Sequence, residues 1–329
     1  MSDRVEQAAA RAPWVSFCMS TYRRPELLRL QLERIRQQTM PDFVVVVSDN
    51  DPEGSARSVV QSCNDPRILY FHNSTNLGMV KSFNKSLERS GTEFVVMITD
   101  DDPVYPSLLA EMRRLIDDYP GYGIYCGCLR PQAGEGKVET FDKDNFVYQL
   151  LHPGLTRTIL WSSCVLRRDS ALAAGGMADY GSPHLADHAL LALCGREKGG
   201  VMINRMYSEF SSHAANFSKA NFESYYVGCR EFYALMTRSF PGNALAKGSG
   251  NVVVRHLEKW FISMSFNLRR FYTYGRKDRE DFRKAVAAME KILDLPFMRG
   301  IYLKYQAKRI VFYLKFPFIR MGLFKNDGL

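Results

Sequence analysis

Two short apolar runs constrain this chain most: Phe43–Val47 (FVVVV) and Phe94–Thr99 (FVVMIT), both rich in β-branched residues and both followed closely by aspartates. Such runs are too short for buried helices and too uniformly apolar for strands with one wet face. They fit the middle of a parallel sheet covered on both sides. Trp14–Ser20 (WVSFCMS) and Arg67–His72 read as two further strands. Between the strands lie helical segments. One is opened by Pro25, carries Leu27, Leu28, Leu30 and Ile35, and runs up to Met40; a short one surrounds Ala56–Gln61; a third spans about Met79–Arg89. Strands alternating with helices at this spacing predict an α/β fold with a doubly wound, mixed and mostly parallel sheet. Strand-like pieces at Gly123–Cys128 and Thr158–Leu166, around a polar loop at Gln132–Asp144, predict the mixed part. From Asn221 onward the pattern turns helical, with aromatic-rich stretches at 222–239 and 251–274 and a helix at about Asp278–Leu293.

In an open parallel sheet the ligand site lies at the carboxyl ends of the strands, so polar residues that follow the apolar runs carry the functional signal. The first strand ends in Ser20-Thr21-Tyr22-Arg23-Arg24, the second in Ser48-Asp49-Asn50-Asp51, and the fourth in Asp100-Asp101-Asp102. Three adjacent carboxylates on a solvated loop would mean only a turn or a cap. At a strand end facing two other polar strand ends they suit a divalent cation, Mg²⁺ or Mn²⁺, which takes hard oxygen ligands and carries phosphates.

These residues resemble the ordered motifs of the family 2 glycosyltransferases of GT-A fold: VSFCMSTYRRPELL, VVVVSDNDPEGS, the NLG at Asn76–Gly78 and TDDDPVYPSLL, over about residues 13–215. The resemblance implies a nucleoside-diphosphate sugar donor, a divalent metal and transfer with inversion. It implies that Ser20 and Tyr22 line the base and ribose pocket, that Asp49 accepts hydrogen bonds from the nucleobase, that Asp100 faces the ribose and that Asp101 ligates the metal. Thr99 stands where many members have their first aspartate, and Asp102 is expected to cap a helix beginning near Pro103. After the Gly175-Gly176 turn, Asp187 matches the family's base, with Ala186 in place of the usual preceding acid; by itself it reads equally as an acidic first-turn residue favoured by the helix dipole. In SEFSSHAANFS, His213 matches a histidine that approaches the metal or diphosphate. Lys81 and Arg24 are expected to help neutralise the diphosphate, whereas His184 and His188 read as core or surface residues that could touch an acceptor.

The resemblance divides the chain into an N-terminal extension (1–12), a GT-A domain (13–220) and a helical region (221–329). Charge follows that division: the chain carries +9, but residues 1–250 hold 27 Lys/Arg against 28 Asp/Glu, whereas 251–329 hold 17 against 7. Between Asp294 and Asp327 stand seven Lys/Arg and no acid, among aromatic and branched residues, with Pro296 and Pro317 expected to break the segment. Residues 295–325 therefore read as a contact with an anionic membrane surface or as a core-covering helix. Nucleic acid is not expected as a partner, because no binding motif accompanies the charge.

Seven scattered cysteines without a CxxC pair speak against a disulfide framework or a zinc site. The charged N-terminus lacks the apolar core of a signal peptide, and no uncharged apolar run reaches membrane-spanning length. The expected location is cytoplasmic, peripheral on the inner face of the membrane. The expected substrate is a lipid-linked or cell-surface glycan. A Walker A loop is excluded at Gly134–Lys137 by Pro131 and Val138. Two rival readings are a sugar nucleotidyltransferase, which should carry a glycine-rich loop where this chain has STYRRPE, and a catalytically silent module of glycan assembly.

Overall fold

The computed structural model describes residues 12–131, 133–152, 159–211, 222–246, 250–274 and 278–320. The apolar runs form central strands. In chain order come β1 (Val15–Thr21), α1 (Pro25–Arg36), β2 (Phe43–Asp49), α2 (Arg57–Cys63), β3 (Ile68–His72), α3 (Met79–Arg89), β4 (Phe94–Thr99) and α4 (Leu108–Asp118). They are followed by β5 (Ile124–Cys126), β6 (Val138–Phe141), α5 (Lys143–Leu151), β7 (Cys164–Arg167), α6 (Arg168–Ala173), α7 (Ala186–Cys194) and β8 (Gly200–Ile203). The sheet order is β3-β2-β1-β4-β7-β5-β8-β6. Strands β3, β2, β1 and β4 run parallel, as do β5 and β8, while β7 is antiparallel to both β4 and β5 and β6 is antiparallel to β8.

Strand alternation sorts the first four strands into two faces. Val15, Phe17 and Met19 point with Val45, Val47, Val96 and Ile98 towards the apolar faces of α1 and α4, where Leu28, Leu32, Leu109 and Met112 complete one buried core. The opposite face carries Ser16, Cys18, Ser20 and Ser48 and is covered by α3. Because α1 buries Leu28, Gln31, Leu32 and Ile35, its inward stripe differs from the expected one: Leu30 is exposed, and the helix ends at Arg36 rather than Met40.

The expected polar loop 132–144 contains β6. Its ValGluThrPhe sequence alternates weakly, and what makes it a strand is the free edge of β8, with which it pairs from Val138↔Ile203 to Phe141↔Gly200. The Asp142 carboxylate accepts the N–H groups of Asp144 and Asn145 at 3.1 and 2.9 Å and so opens α5.

The described residues separate into two compact units. The first holds the sheet, with residues 12–150, 159–179 and 186–211; the second holds 151–152, 180–185 and 222–320. The second unit is helical: α8 (Ser224–Ser239), the four-residue α9 (Gly242–Leu245), α10 (Val252–Tyr274), α11 (Arg279–Glu290), 3-10 turns at Lys291–Asp294 and Pro296–Ile301, and α12 (Tyr302–Arg320). Its core is aromatic, with Tyr225 against Trp260 and Phe261 against Tyr305 at centroid separations of 5.3 and 5.0 Å. The basic tail is thereby partly core: Tyr305 and Phe312 of α12 are buried, while Leu303, Ile310 and Leu314 face outward. Pro296 does break the segment, but Pro317 does not, since α12 runs through it to Arg320. A proline near a helix end removes only one N–H donor and leaves a single carbonyl to find another partner. No helix among the described residues is long and apolar enough to cross a membrane.

Candidate active site

Parallel register assembles the site. Ser20 stands beside Ser48 on β2 and Thr99 on β4, so the next residues, Thr21, Asp49 and Asp100, emerge side by side at the strand ends. Thr21 donates from Oγ1 to Asp100 Oδ2 at 2.8 Å. The chain then turns through Arg23, whose φ of 54° is in the left-handed region, and the Arg23 guanidinium reaches Asp51 at 3.2 Å. Arg24 points the other way: Nη1 donates to Asp100 Oδ1 at 3.3 Å and to Asp101 Oδ2 at 3.2 Å. A guanidinium thus stands between the first two aspartates.

Asp100, Asp101 and Asp102 are all buried. Burial pushes the Asp100 carboxyl up to about 6; the Arg24 charge and the Thr21 hydroxyl oppose the rise and the Asp101 charge adds to it. Burial also pushes Asp102 up to about 6, against the Ser211 N–H, with the charges of Asp101 and Asp187 adding to the rise. The Asp187 carboxylate, in the first turn of α7, is thus near enough to Asp102 for its charge to be felt there.

Asp102 caps no helix. The helix after the aspartates starts at Leu108, behind Ser107, because Val104 bridges to Ser208 and holds residues 103–105 extended. Asp102 Oδ1 instead accepts the Ser211 N–H at 3.0 Å, and the Tyr105 hydroxyl donates to Glu209 Oε1 at 2.6 Å. These bonds fasten the segment that leads towards His213, which lies outside the described residues. Thr99, at the position of many members' first aspartate, accepts the Asp102 N–H at 3.1 Å, and buried Gln31 donates to the Thr99 and Asp102 carbonyls at 3.2 and 2.6 Å. The triple-aspartate turn is therefore held from α1.

Asp49 is fully enclosed, and its carboxylate accepts the N–H groups of Asp51 and Ala56 and the Tyr70 hydroxyl at 3.1, 3.0 and 2.9 Å. These bonds shape the turn between β2 and α2, and they enclose the carboxylate completely, so Asp49 is not presented to a nucleobase as the resemblance implies. Burial, reinforced by this carboxylate, pushes the Tyr70 phenol up to about 12. On the other sheet face, Ser20 donates to Ser82 of α3 at 2.7 Å, and Asn73 reaches Ser48 and Ser82 at 3.1 and 3.4 Å. Asn50 accepts the Leu77 N–H at 2.9 Å and donates to Asn76 at 2.8 Å, which ties the NLG turn to the end of β2. Tyr22 is exposed, with the Arg23 guanidinium 5.3 Å from its ring centroid. Lys81 forms a solvent-facing pair with Asp179 at 3.6 Å, and among the described residues no ion pair joins it to the three aspartates.

The glycine turn is built as the spacing predicts. Gly175 and Gly176 have φ of 80° and 71°, and a Cβ on Gly176 would collide with the Asn84 amide. Asn84 clamps the turn by donating to the Met177 carbonyl and accepting its N–H, at 2.9 and 2.8 Å. Leu185, just ahead of α7, takes φ 65°, a costly conformation for a non-glycine residue. Asp187 lies 3.9 Å from His188 Nε2, and His184, in the second unit, packs its ring on Tyr225 at 3.7 Å. Sequence reasoning missed Thr21, Gln31, Asn73 and Asn84. The first follows directly from strand register, whereas Asn84 is 93 residues from its partner and leaves no local signal.

Among the described residues no group of three or more His, Cys, Asp or Glu side chains is arranged to hold a metal. The donor set still fits Mg²⁺ or Mn²⁺ bound through one or two carboxylates and substrate phosphates, and the Arg24 guanidinium shows that the aspartates draw a cation.

Residues 16–175 match the family described as Glycosyl transferase family 2. The chain carries a family 2 glycosyltransferase domain. Among solved structures, S. aureus TarS 1-349 in complex with UDP-GlcNAc superposes with a TM-score of 0.58 at 16% identity, over 89% of this chain and 92% of that one. Mannosyltransferase PcManGT from Pyrobaculum calidifontis, in complex with GDP-Man and Mn²⁺, gives 0.52 at 15% identity over 93% and 87%. These likenesses establish the GT-A fold. Among curated relatives, the GalNAc(5)-diNAcBac-PP-undecaprenol beta-1,3-glucosyltransferase of Campylobacter jejuni is 29% identical over 126 residues, 37% of this chain and 40% of that protein. Abequosyltransferase RfbV of Salmonella typhimurium is 27% identical over 179 residues, half of each. The chain thus spans half the length, or less, of these two relatives.

Proposed function

We propose that the domain moves a sugar from a nucleoside-diphosphate donor to a hydroxyl of a lipid-linked or cell-surface glycan, with inversion at the anomeric carbon. The observation that supports this reading is the side-by-side emergence of Thr21, Asp49 and Asp100 at the strand ends, with Asp187 near enough for its charge to act on Asp102. Asp187 takes the acceptor hydroxyl proton as that oxygen bonds to the anomeric carbon and the bond to the diphosphate breaks. Ser20 and Tyr22 border the base and ribose, Asp49 acts through the turn it holds, and Asp100 faces the ribose. Asp101 and His213 would hold Mn²⁺ or Mg²⁺, which would supply positive charge for the leaving diphosphate. Arg24 and Lys81 add to that charge.

The catalytic domain is proposed as residues 13–220 and the helical region as 221–329, working in the cytoplasm at the inner face of the membrane. The outward apolar and basic side chains of α12 support that placement, as does the undecaprenol-linked substrate in the name of the Campylobacter relative. A thermal-shift screen of nucleotide sugars with Mn²⁺ identifies the donor. Asp187→Asn should then keep Mn²⁺-dependent donor binding in calorimetry and lose transfer, whereas Asp101→Ala should lose the binding. Unimpaired turnover by Asp187→Asn removes the base assignment.

A further inference from the structure

The second unit contains a cavity of about 630 Å³ between α10, α11 and α12, within the size range of small-molecule pockets. Its polar end carries Arg269, Arg283 and Arg309 against the single carboxylate of Glu290. One oxygen of this acid, Glu290 Oε1, already accepts from Arg269 at 3.1 Å, Tyr305 at 2.5 Å and Arg309 at 3.3 Å. Arg283 is exposed, and among the described residues no ion pair reaches it. Three guanidinium groups facing one carboxylate leave an excess of positive charge in a concave site.

The rest of the wall is apolar: Phe282 and Val286 from α11, and Ile310, Tyr313 and Leu314 from α12. Ile310 and Leu314 are 60% and 67% exposed, and with Leu303 at 80% they follow helical spacing into one stripe that leaves the cavity along α12. A small inorganic anion would use the arginines and waste the apolar wall; an apolar ligand would leave the arginines unanswered. An amphiphile with an anionic phosphate head satisfies both.

We propose that this cavity binds the phosphate headgroup of an anionic lipid, with the arginines around the phosphate and the lipid chain along the Leu303–Ile310–Leu314 stripe. The proposal rests on the reading that α12 faces a membrane and adds to it a defined, saturable site. It does not depend on sugar transfer, so its test uses none.

The test is calorimetry of the full chain with dihexanoyl phosphatidic acid below its micelle concentration, dihexanoyl phosphatidylcholine and inorganic phosphate. The expected result is one-site binding of phosphatidic acid, at least tenfold weaker binding of the choline lipid, and no heat from phosphate. Arg283→Glu should weaken phosphatidic acid binding tenfold or more. Lys304→Glu, an identical charge change on α12 outside the cavity lining, should change it less than twofold, with both variants melting as wild type. Equal losses in the two variants, or phosphate binding as tightly as the lipid, overturn the site. So does a concentration-dependent dimer of the lipid-free protein that Arg283→Glu abolishes, because a second copy then occupies the cavity. Flotation with phosphatidylglycerol vesicles separates the two levels: wild type that floats but binds no phosphatidic acid in calorimetry keeps the membrane reading and loses the site.

Discussion

Replacing Arg24 with Met removes the cation between Asp100 and Asp101 while keeping an apolar stem of similar length. The guanidinium lies 3.3 and 3.2 Å from the two carboxylates, whose side chains are 5% and 9% exposed, and is itself 29% exposed. At an effective dielectric of about 20, unit charges ~4 Å apart attract by about 4 kcal/mol before desolvation and ordering are subtracted. Removing one partner costs about 3–5 kcal/mol for a buried pair and about 0–1 for an exposed one. Arg24 lies between those limits, so Arg24→Met should lose about 2–3 kcal/mol of stability at pH 8 in EDTA. The pH dependence has a definite sign. A carboxyl raised from 3.8 to about 6 takes up its proton in the folded protein before the unfolded chain does, so Asp100 lowers stability as pH rises through that window. Losing Arg24 pushes this carboxyl further up, so the deficit should be smaller at pH 5, where Asp100 is largely protonated and the Asp101 contact is what the variant loses, and full at pH 8. For a unit of 150–250 residues, 1 kcal/mol corresponds to about 2–4 °C, which gives a fall of about 4–12 °C in thermal melts at pH 8. Asp101→Asn should restore part of the loss, with a coupling of about 1–2 kcal/mol in the double-mutant cycle. Equal losses at both pH values would refute the Asp100 contribution, and an additive cycle would refute the Asp101 contribution.

Asp49→Asn should cost about 2–3 kcal/mol, because the amide NH₂ would face donors at Ala56 N–H or Tyr70 O–H, and limited proteolysis should begin in residues 50–56. Protection unchanged from wild type there would show that the turn holds without the carboxylate. Gly176→Ala combines positive φ with a collision at Asn84 and should cost about 1–3 kcal/mol in urea unfolding; wild-type stability would mean that the turn relaxes freely. The hydrogen bonds from Arg67 hold the Asp65 carboxyl below its usual range against burial, so its contribution is present above about pH 4 and is lost as pH falls through the lowered value. Asp65→Asn should therefore reduce stability at pH 7 and flatten its fall between pH 4 and 2; an unchanged acid limb in urea titrations would contradict this.

Much of the site was legible because strand ends are local features. FVVVV followed by Ser48 and Asp49, and FVVMIT followed by three aspartates, state both the buried strand and the polar end in one short stretch, and parallel register does the rest. The roles within the cluster were less legible. Asp102 reads as a helix cap because Pro103 follows it, yet a β-bridge from Val104 to a residue a hundred positions later keeps the chain extended and turns the carboxylate to Ser211. Likewise β6 has too little apolar alternation to be recognised as a strand without the edge of β8 beside it.

The order of strands, helices and aspartates was therefore decided by the sequence itself, because hydrophobic periodicity and strand-terminal polarity act over a few residues. Tertiary structure alone decided which carboxylates share the Arg24 charge, why burial pushes the Asp100 and Asp102 carboxyls up, how Asn84 holds the glycine turn, and that the basic tail is partly core and partly exposed surface. Each of these depends on burial or on partners distant in the chain, and the desolvation and Coulomb energies that set them exist only once the chain has closed around the groups concerned.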